Sequence, residues 1–121
     1  MNPAMSAPLE SYLKTYRRRS GFSQDEIAFL LGSTSGQKVS RYEHRARRPP
    51  LETALAYEAI FQVPVSVLFA GLYQKVEKRS IARAQDLAEK LLPANARRAT
   101  PLKLAVLQAI TSRQPVSRAK R

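Results

Sequence analysis

LGSTSGQKVSRYEHRARR, residues 31–48, is the stretch on which the reading of the whole chain turns. Residues 32–36 are rich in turn formers. Beyond them Val39 and Tyr42 stand three apart, on one face of a short helix over roughly 37–44. Around that apolar pair lie Ser35, Gln37, Lys38, Ser40 and Arg41, all able to hydrogen-bond. In the major groove of a duplex, glutamine can pair two-pronged with adenine, and lysine or arginine with guanine. Arg45, Arg47 and Arg48 follow at once, where a helix leaving such a groove would meet phosphates. The same residues also describe a solvated helix face followed by a basic turn. The stretch alone leaves the two readings even, and its flanks decide between them.

Composition narrows the field. With 121 residues the chain has room for one domain with extensions. A hydrophobic share of 44% supports a core in part of it. No apolar run approaches the ~20 residues of a membrane span, so no membrane partner is expected. The opening MNPAMSAP lacks the basic start and apolar middle of a signal peptide. There is no cysteine and a single histidine, His44, which reads as a surface residue at a helix end. A thiolate or histidine metal cluster therefore has no basis. The expected compartment is the cytoplasm. The balance of 21 basic to 9 acidic residues, net +12, favours a polyanionic partner. Residues 1–69 carry net +3 and residues 70–121 net +9, so the two parts differ in character.

The flanks read as helices throughout. Residues 1–8 are loose and flexible. Leu9, Leu13 and Tyr16 predict a first helix over about 9–19, closed by Arg17–Arg19 near the negative end of its dipole and by Ser20-Gly21. Ser23 through Glu26 is a capping box, with Phe22 and Ile27 placed as a hydrophobic staple. The second helix runs from there to Leu31, and Gly32 stops it. Pro49-Pro50 opens a fourth helix over 51–61 with Leu51, Ala54, Leu55 and Phe61 as its apolar members; Glu58 lies on that stripe without an evident partner. Val63-Pro64 is a short linker, and a brief fifth helix over 65–69 ends before Gly71. A long helix spans 72–92, with Val76, Ile81, Ala84, Leu87, Ala88 and Leu91 on its apolar side and Pro93 at its end. After a linker over 93–100, a last helix covers about 102–112. The basic tail, 113–121, is expected to be disordered. Tyr12, Tyr16, Tyr42 and Tyr57 occur at helical spacing and belong to core or rim. The class is all-α.

Together these elements resemble a lambda-repressor-like (Cro/cI-type, XRE family) helix-turn-helix domain. LKTYRRRSGFSQDEIAFLLG is similar to the family's first two helices and the turn between them. VSRYE is similar to the end of its recognition helix, and RPPLETALAYEAIFQVPVSVLF to its fourth and fifth helices. The resemblance covers about 9–69. It implies a five-helix DNA-binding domain over 9–71; the C-terminal helical extension over 72–112 is not covered by the resemblance. It implies that Gln24 braces a phosphate and the recognition helix, that Ala28 permits close approach of the second and third helices, and that Arg17 pairs with Glu43. It places Gln37, Lys38 and Arg41 where the family reads bases or adjacent phosphates. Two features depart from the pattern. Six residues separate Gly32 from Val39 where the family has five, so either the turn is longer or the recognition helix starts differently. Phe29 and Leu30 are both apolar, and the long helix or a partner subunit is expected to cover one of them.

The expected function is sequence-specific binding of double-stranded DNA by a transcriptional regulator, a repressor. The DNA-contacting set is Gln24, Ser35, Gln37, Lys38, Ser40, Arg41, Arg45, Arg47 and Arg48. When bound, such a protein sits on the nucleoid. A homodimer on a palindrome is one expected form. A rival reading is an antitoxin or accessory module whose residues 72–112 bind a protein partner. A third is nucleic-acid binding without sequence preference, RNA included. Paired carboxylates, a nucleophile with its base, a metal cluster and a glycine-rich phosphate loop are all missing from the sequence, so neither an enzyme nor a cofactor is expected.

Overall fold

The computed structural model describes residues 8–94 and 100–113. The chain is all-α: α1 Leu13–Ser20, α2 Gln24–Leu31, α3 Gly36–Glu43, α4 Leu51–Phe61, α5 Val65–Leu68, α6 Ala70–Ala94 and α7 Pro101–Thr111. It divides into one unit up to Tyr73 and a second from Gln74. No described helix is long and apolar enough to cross a membrane.

Local chemistry sets most helix ends in the first unit. Gly21 and Gly32 take left-handed φ values of 80° and 79°, which only glycine adopts without penalty, and close α1 and α2. Ser23 accepts from the Glu26 amide while the Glu26 carboxylate accepts from the Ser23 amide, so the capping box is complete. Between the cap Gly32 and Ser35, the N-cap of α3, lie only Ser33 and Thr34.

Three expectations change here, each through a contact that reaches beyond the element concerned. The first helix starts at Leu13, not near residue 9, because the backbone of the preceding segment is used elsewhere. The Leu9 and Glu10 carbonyls accept from the Gly71 and Leu72 amides, and the Tyr12 amide donates to the Leu68 carbonyl. Gly71 accordingly lies inside α6 and does not end α5. A Cβ there would come 2.4 Å from the Leu9 carbonyl oxygen, so the glycine marks a close approach. Glu58 has a partner: its carboxylate accepts from the Val65 amide and caps α5.

The first core gathers Leu13, Ile27, Ala28, Val39, Tyr42, Ala54, Tyr57, Leu68 and Phe69. Tyr57 stacks on Phe61 and meets Tyr42 edge-on, with centroids 5.9 and 6.5 Å apart. Ala54 and Tyr57 are the buried residues of α4, whereas the expected Leu51 and Leu55 are exposed. α4 is apolar nearly all round, so packing and not periodicity chooses its inner face. Phe29 is 81% exposed and Leu30 is also exposed.

The second unit is the rest of α6 with α7. Among the described residues Ala84, Leu91 and Leu107 form its buried apolar cluster, with Ala88 and Ile110 packed against them. Val76 and Leu87, expected on the inner side of α6, are exposed, and Glu77 is buried in their stead. Glu77 is held by Arg113 at 2.7 Å, so Arg113 belongs to the fold and not to a loose tail; 114–121 lie outside the described residues. α6 continues through Pro93 to Ala94, and residues 95–99 of the expected linker are likewise outside the description. Thr100 caps α7 through the Lys103 amide, with Pro101 in the first turn.

Candidate nucleic-acid interface

α3 has one face committed to the core and one turned outward. Val39 and Tyr42 are buried, whereas Gln37, Lys38 and Arg41 are exposed on the opposite side. The inner face is anchored by Glu43, whose side chain is only 1% exposed. Its carboxylate accepts from Arg17 Nε at 2.6 Å and Nη2 at 3.1 Å, and from Gln24 Nε2 at 3.1 Å. Arg17 also donates to the Phe22 carbonyl. The hydrogen bond to Glu43 holds the Arg17 guanidinium above its ordinary pKa, against the opposing effect of burial. One carboxylate thereby ties α1, the start of α2 and the end of α3 together.

The starts of α2 and α3 also meet. Asp25 accepts from the Gly36 amide at 3.0 Å. A Cβ on Gly36 would stand 2.6 Å from that carboxylate oxygen and 3.3 Å from the Asp25 backbone nitrogen. The sequence places Asp25 only in the capping box and Gly36 in the turn, whereas Gly36 is the first residue of α3. The one signal available was a glycine at the first position of a helix. Ala28, expected at the α2–α3 approach, is buried.

An open hollow lies between these two helix starts, lined by Gln24, Ser35, Gln37 and Ser40 with Arg17 at its side. The Ser35 hydroxyl accepts from the Gln37 amide as the helix cap. Ser40 lies within hydrogen-bonding distance of the His44 ring. Helix N-termini present unsatisfied amides and favour anions, and two of them open here.

The chain leaves α3 through a tight reversal. Arg45 adopts φ 62°, with the Arg45 and Ala46 amides donating to the Tyr42 and Arg41 carbonyls. A side chain in this conformation costs about 1–2 kcal/mol relative to the ordinary region, and glycine would avoid it. Arg45 and Arg47 are exposed. Arg48 differs from its neighbours: it forms a two-pronged pair with Glu10, Nε at 3.0 Å and Nη2 at 3.4 Å. The structure thus gathers Gln24, Ser35, Gln37 and Ser40 about one hollow, sets Lys38 and Arg41 on the outer face of α3, and ties Arg48 to the N-terminal segment.

The family model HTH_3, described as helix-turn-helix, matches residues 13–68. No curated protein and no solved structure matches the chain.

Proposed function

Residues 13–68 belong to the Cro/cI-type helix-turn-helix family, a family of DNA-binding regulatory domains and not of enzymes, and from that premise we propose that this chain is a sequence-specific repressor acting on double-stranded DNA in the cytoplasm. The observation that carries the reading is the division of α3 into a locked inner face and an exposed polar outer face. Base readout needs side chains held in fixed register, and the Arg17–Glu43–Gln24 cluster holds the helix that bears them. In this mechanism α3 enters the major groove, where Gln37, Lys38 and Arg41 meet base edges. A backbone phosphate sits at the hollow between α2 and α3, near Gln24, Ser35 and Ser40. Arg45 and Arg47 meet neighbouring phosphates and make the affinity fall with salt. Keeping an arginine at a left-handed position where glycine would be cheaper supports a use for the Arg45 side chain. Arg48 reaches a phosphate only by exchanging Glu10 for it. Occupancy of the duplex blocks other proteins without further contacts, which favours repression.

Selection of bound sequences from a random duplex pool tests this. The expected result is one consensus that is lost when Gln37, Lys38 and Arg41 are all alanine. Uniform recovery of unrelated duplexes refutes it. The rival reading, a protein-interaction module with DNA binding secondary, draws support from the exposed apolar side of α7. Capture of a partner by residues 72–112 with no sequence selection would favour it.

A further inference from the structure

The segment before α1 belongs to no helix, yet it is fixed at several points. The Leu9 and Glu10 carbonyls accept from the Gly71 and Leu72 amides at 2.8 and 3.4 Å, and the Tyr12 amide donates to the Leu68 carbonyl at 2.7 Å. The Leu9 amide donates to the Tyr12 hydroxyl at 3.0 Å. Gly71 is buried against the Pro8 and Leu9 carbonyls, with no room for a Cβ. Residues 8–12 thus form a strap bound to α5 and to the start of α6. The Glu10 side chain leaves this strap and takes Arg48, 38 positions along the chain at the exit of α3, in a two-pronged pair. The two partners are unequally held. The Glu10 side chain is 20% exposed, whereas that of Arg48 is 60% exposed. The carboxylate is built in, and the guanidinium on its long, solvated stem can swing away.

Arg45 and Arg47 are exposed beside Arg48. A backbone phosphate and the Glu10 carboxylate are both anions that accept the same fork of N–H donors, so they compete for one guanidinium. We propose that Glu10 is a positioning residue for DNA binding: held out on the strap, it withholds Arg48 from the phosphate backbone and sets the affinity for duplex below what the basic surface alone would give. The inference rests on the reading that the exit of α3 faces a duplex. A purely structural pair predicts the opposite sign. If Glu10 only pins the segment after α3, its loss loosens Arg45 and Arg47 and weakens binding. If Glu10 withholds Arg48, its loss strengthens binding. The pair is exposed on the arginine side, and such pairs hold their members by a factor of roughly two to five. Phosphate competes with a hold of that size, and relief of the competition is large enough to measure.

Titration of labelled duplex with the full chain at several salt concentrations is the test, on the selected consensus duplex and on a scrambled one. Glu10→Gln keeps the shape of the side chain and removes its charge. It should tighten binding to both duplexes by roughly two- to fivefold at low salt. It should also steepen the slope of log affinity against log salt by about 0.9, the share of one more phosphate. Loss of any negative charge near DNA favours binding somewhat, so the decisive comparison is made on an Arg48→Met background. There Glu10→Gln should bring neither gain nor steeper slope. Gly71→Ala pushes a methyl group at the Leu9 carbonyl and displaces the strap without changing any charge. It should give the same gain, again only while Arg48 is present. Unchanged or weaker binding by a folded Glu10→Gln chain overturns the proposal, and so does a gain that survives on the Arg48→Met background. A folded Gly71→Ala chain with wild-type affinity overturns the part given to the strap; if that chain loses helix content, Glu10→Gln decides alone. A selection that yields no consensus refutes the functional reading, and the scrambled duplex still decides this one.

Discussion

Glu43→Ala is the substitution that most directly probes how the recognition surface is held. The wild-type carboxylate accepts three hydrogen bonds, two from Arg17 and one from Gln24, with almost no contact with water. Alanine leaves the largely buried Arg17 guanidinium with the Phe22 carbonyl alone. Breaking a buried pair by removing one partner costs about 3–5 kcal/mol. A unit of this size has on the order of 3–10 kcal/mol in total. The variant should therefore lose a large part of its stability, and its melting temperature should fall by at least about 10 °C, at roughly 4–8 °C per kcal/mol. Arg17→Met should fall comparably, because it strands the carboxylate. The double variant Arg17→Met with Glu43→Leu carries no stranded charge and should recover much of the loss, since apolar replacement of a whole buried pair is often close to neutral. Thermal scans by circular dichroism on the four chains complete the cycle. If both single variants melt within about 2 °C of wild type, the cluster does not hold α3.

The remaining predictions address other parts of the same domain. Gln37→Ala, Lys38→Ala and Arg41→Ala should each weaken cognate DNA binding by about 1–3 kcal/mol while leaving binding to scrambled duplex much less affected, measured by titration of labelled duplexes. Gly36→Ala pushes a methyl group against Asp25 and should cost about 1–3 kcal/mol in urea denaturation, with weaker cognate binding as α3 shifts. Glu58→Ala removes the cap on the Val65 amide and should cost about 1 kcal/mol, whereas Glu58→Gln, which keeps an acceptor, should cost less. The Tyr57 hydroxyl is buried without a hydrogen-bond partner among the described residues, and burial, followed by the nearby Glu43 charge, pushes its pKa up. The folded state therefore releases this proton later than the unfolded chain. The stability tied to it is whole below the unfolded value near pH ~10 and is lost as pH rises beyond it. Tyr57→Phe should be nearly neutral at pH ~7 and should show a shallower alkaline loss than wild type, read as the difference between the two denaturation curves.

What the sequence determined by itself is what short-range chemistry decides. The Ser23–Glu26 box and the helix-ending Gly21 and Gly32 are visible as residue types because their hydrogen bonds close within a few positions. The polar outer face of α3 was equally legible, since alternation with Val39 and Tyr42 leaves Gln37, Lys38 and Arg41 no other side. The Arg17–Glu43 contact entered only through family resemblance, not through any local pattern. The tertiary structure alone decided whatever depended on a distant partner. Glu10 meets Arg48 across 38 positions, and Glu77 meets Arg113 from the far end of α7. The Leu9 and Glu10 carbonyls serve α6, which moves the start of α1 and turns Gly71 from an expected break into a contact. The choice of Ala54 and Tyr57 over Leu51 and Leu55 has a related cause. A helix that is apolar nearly all round carries no periodic signal, so the neighbours packed against it, and not its own sequence, select the side that leaves water.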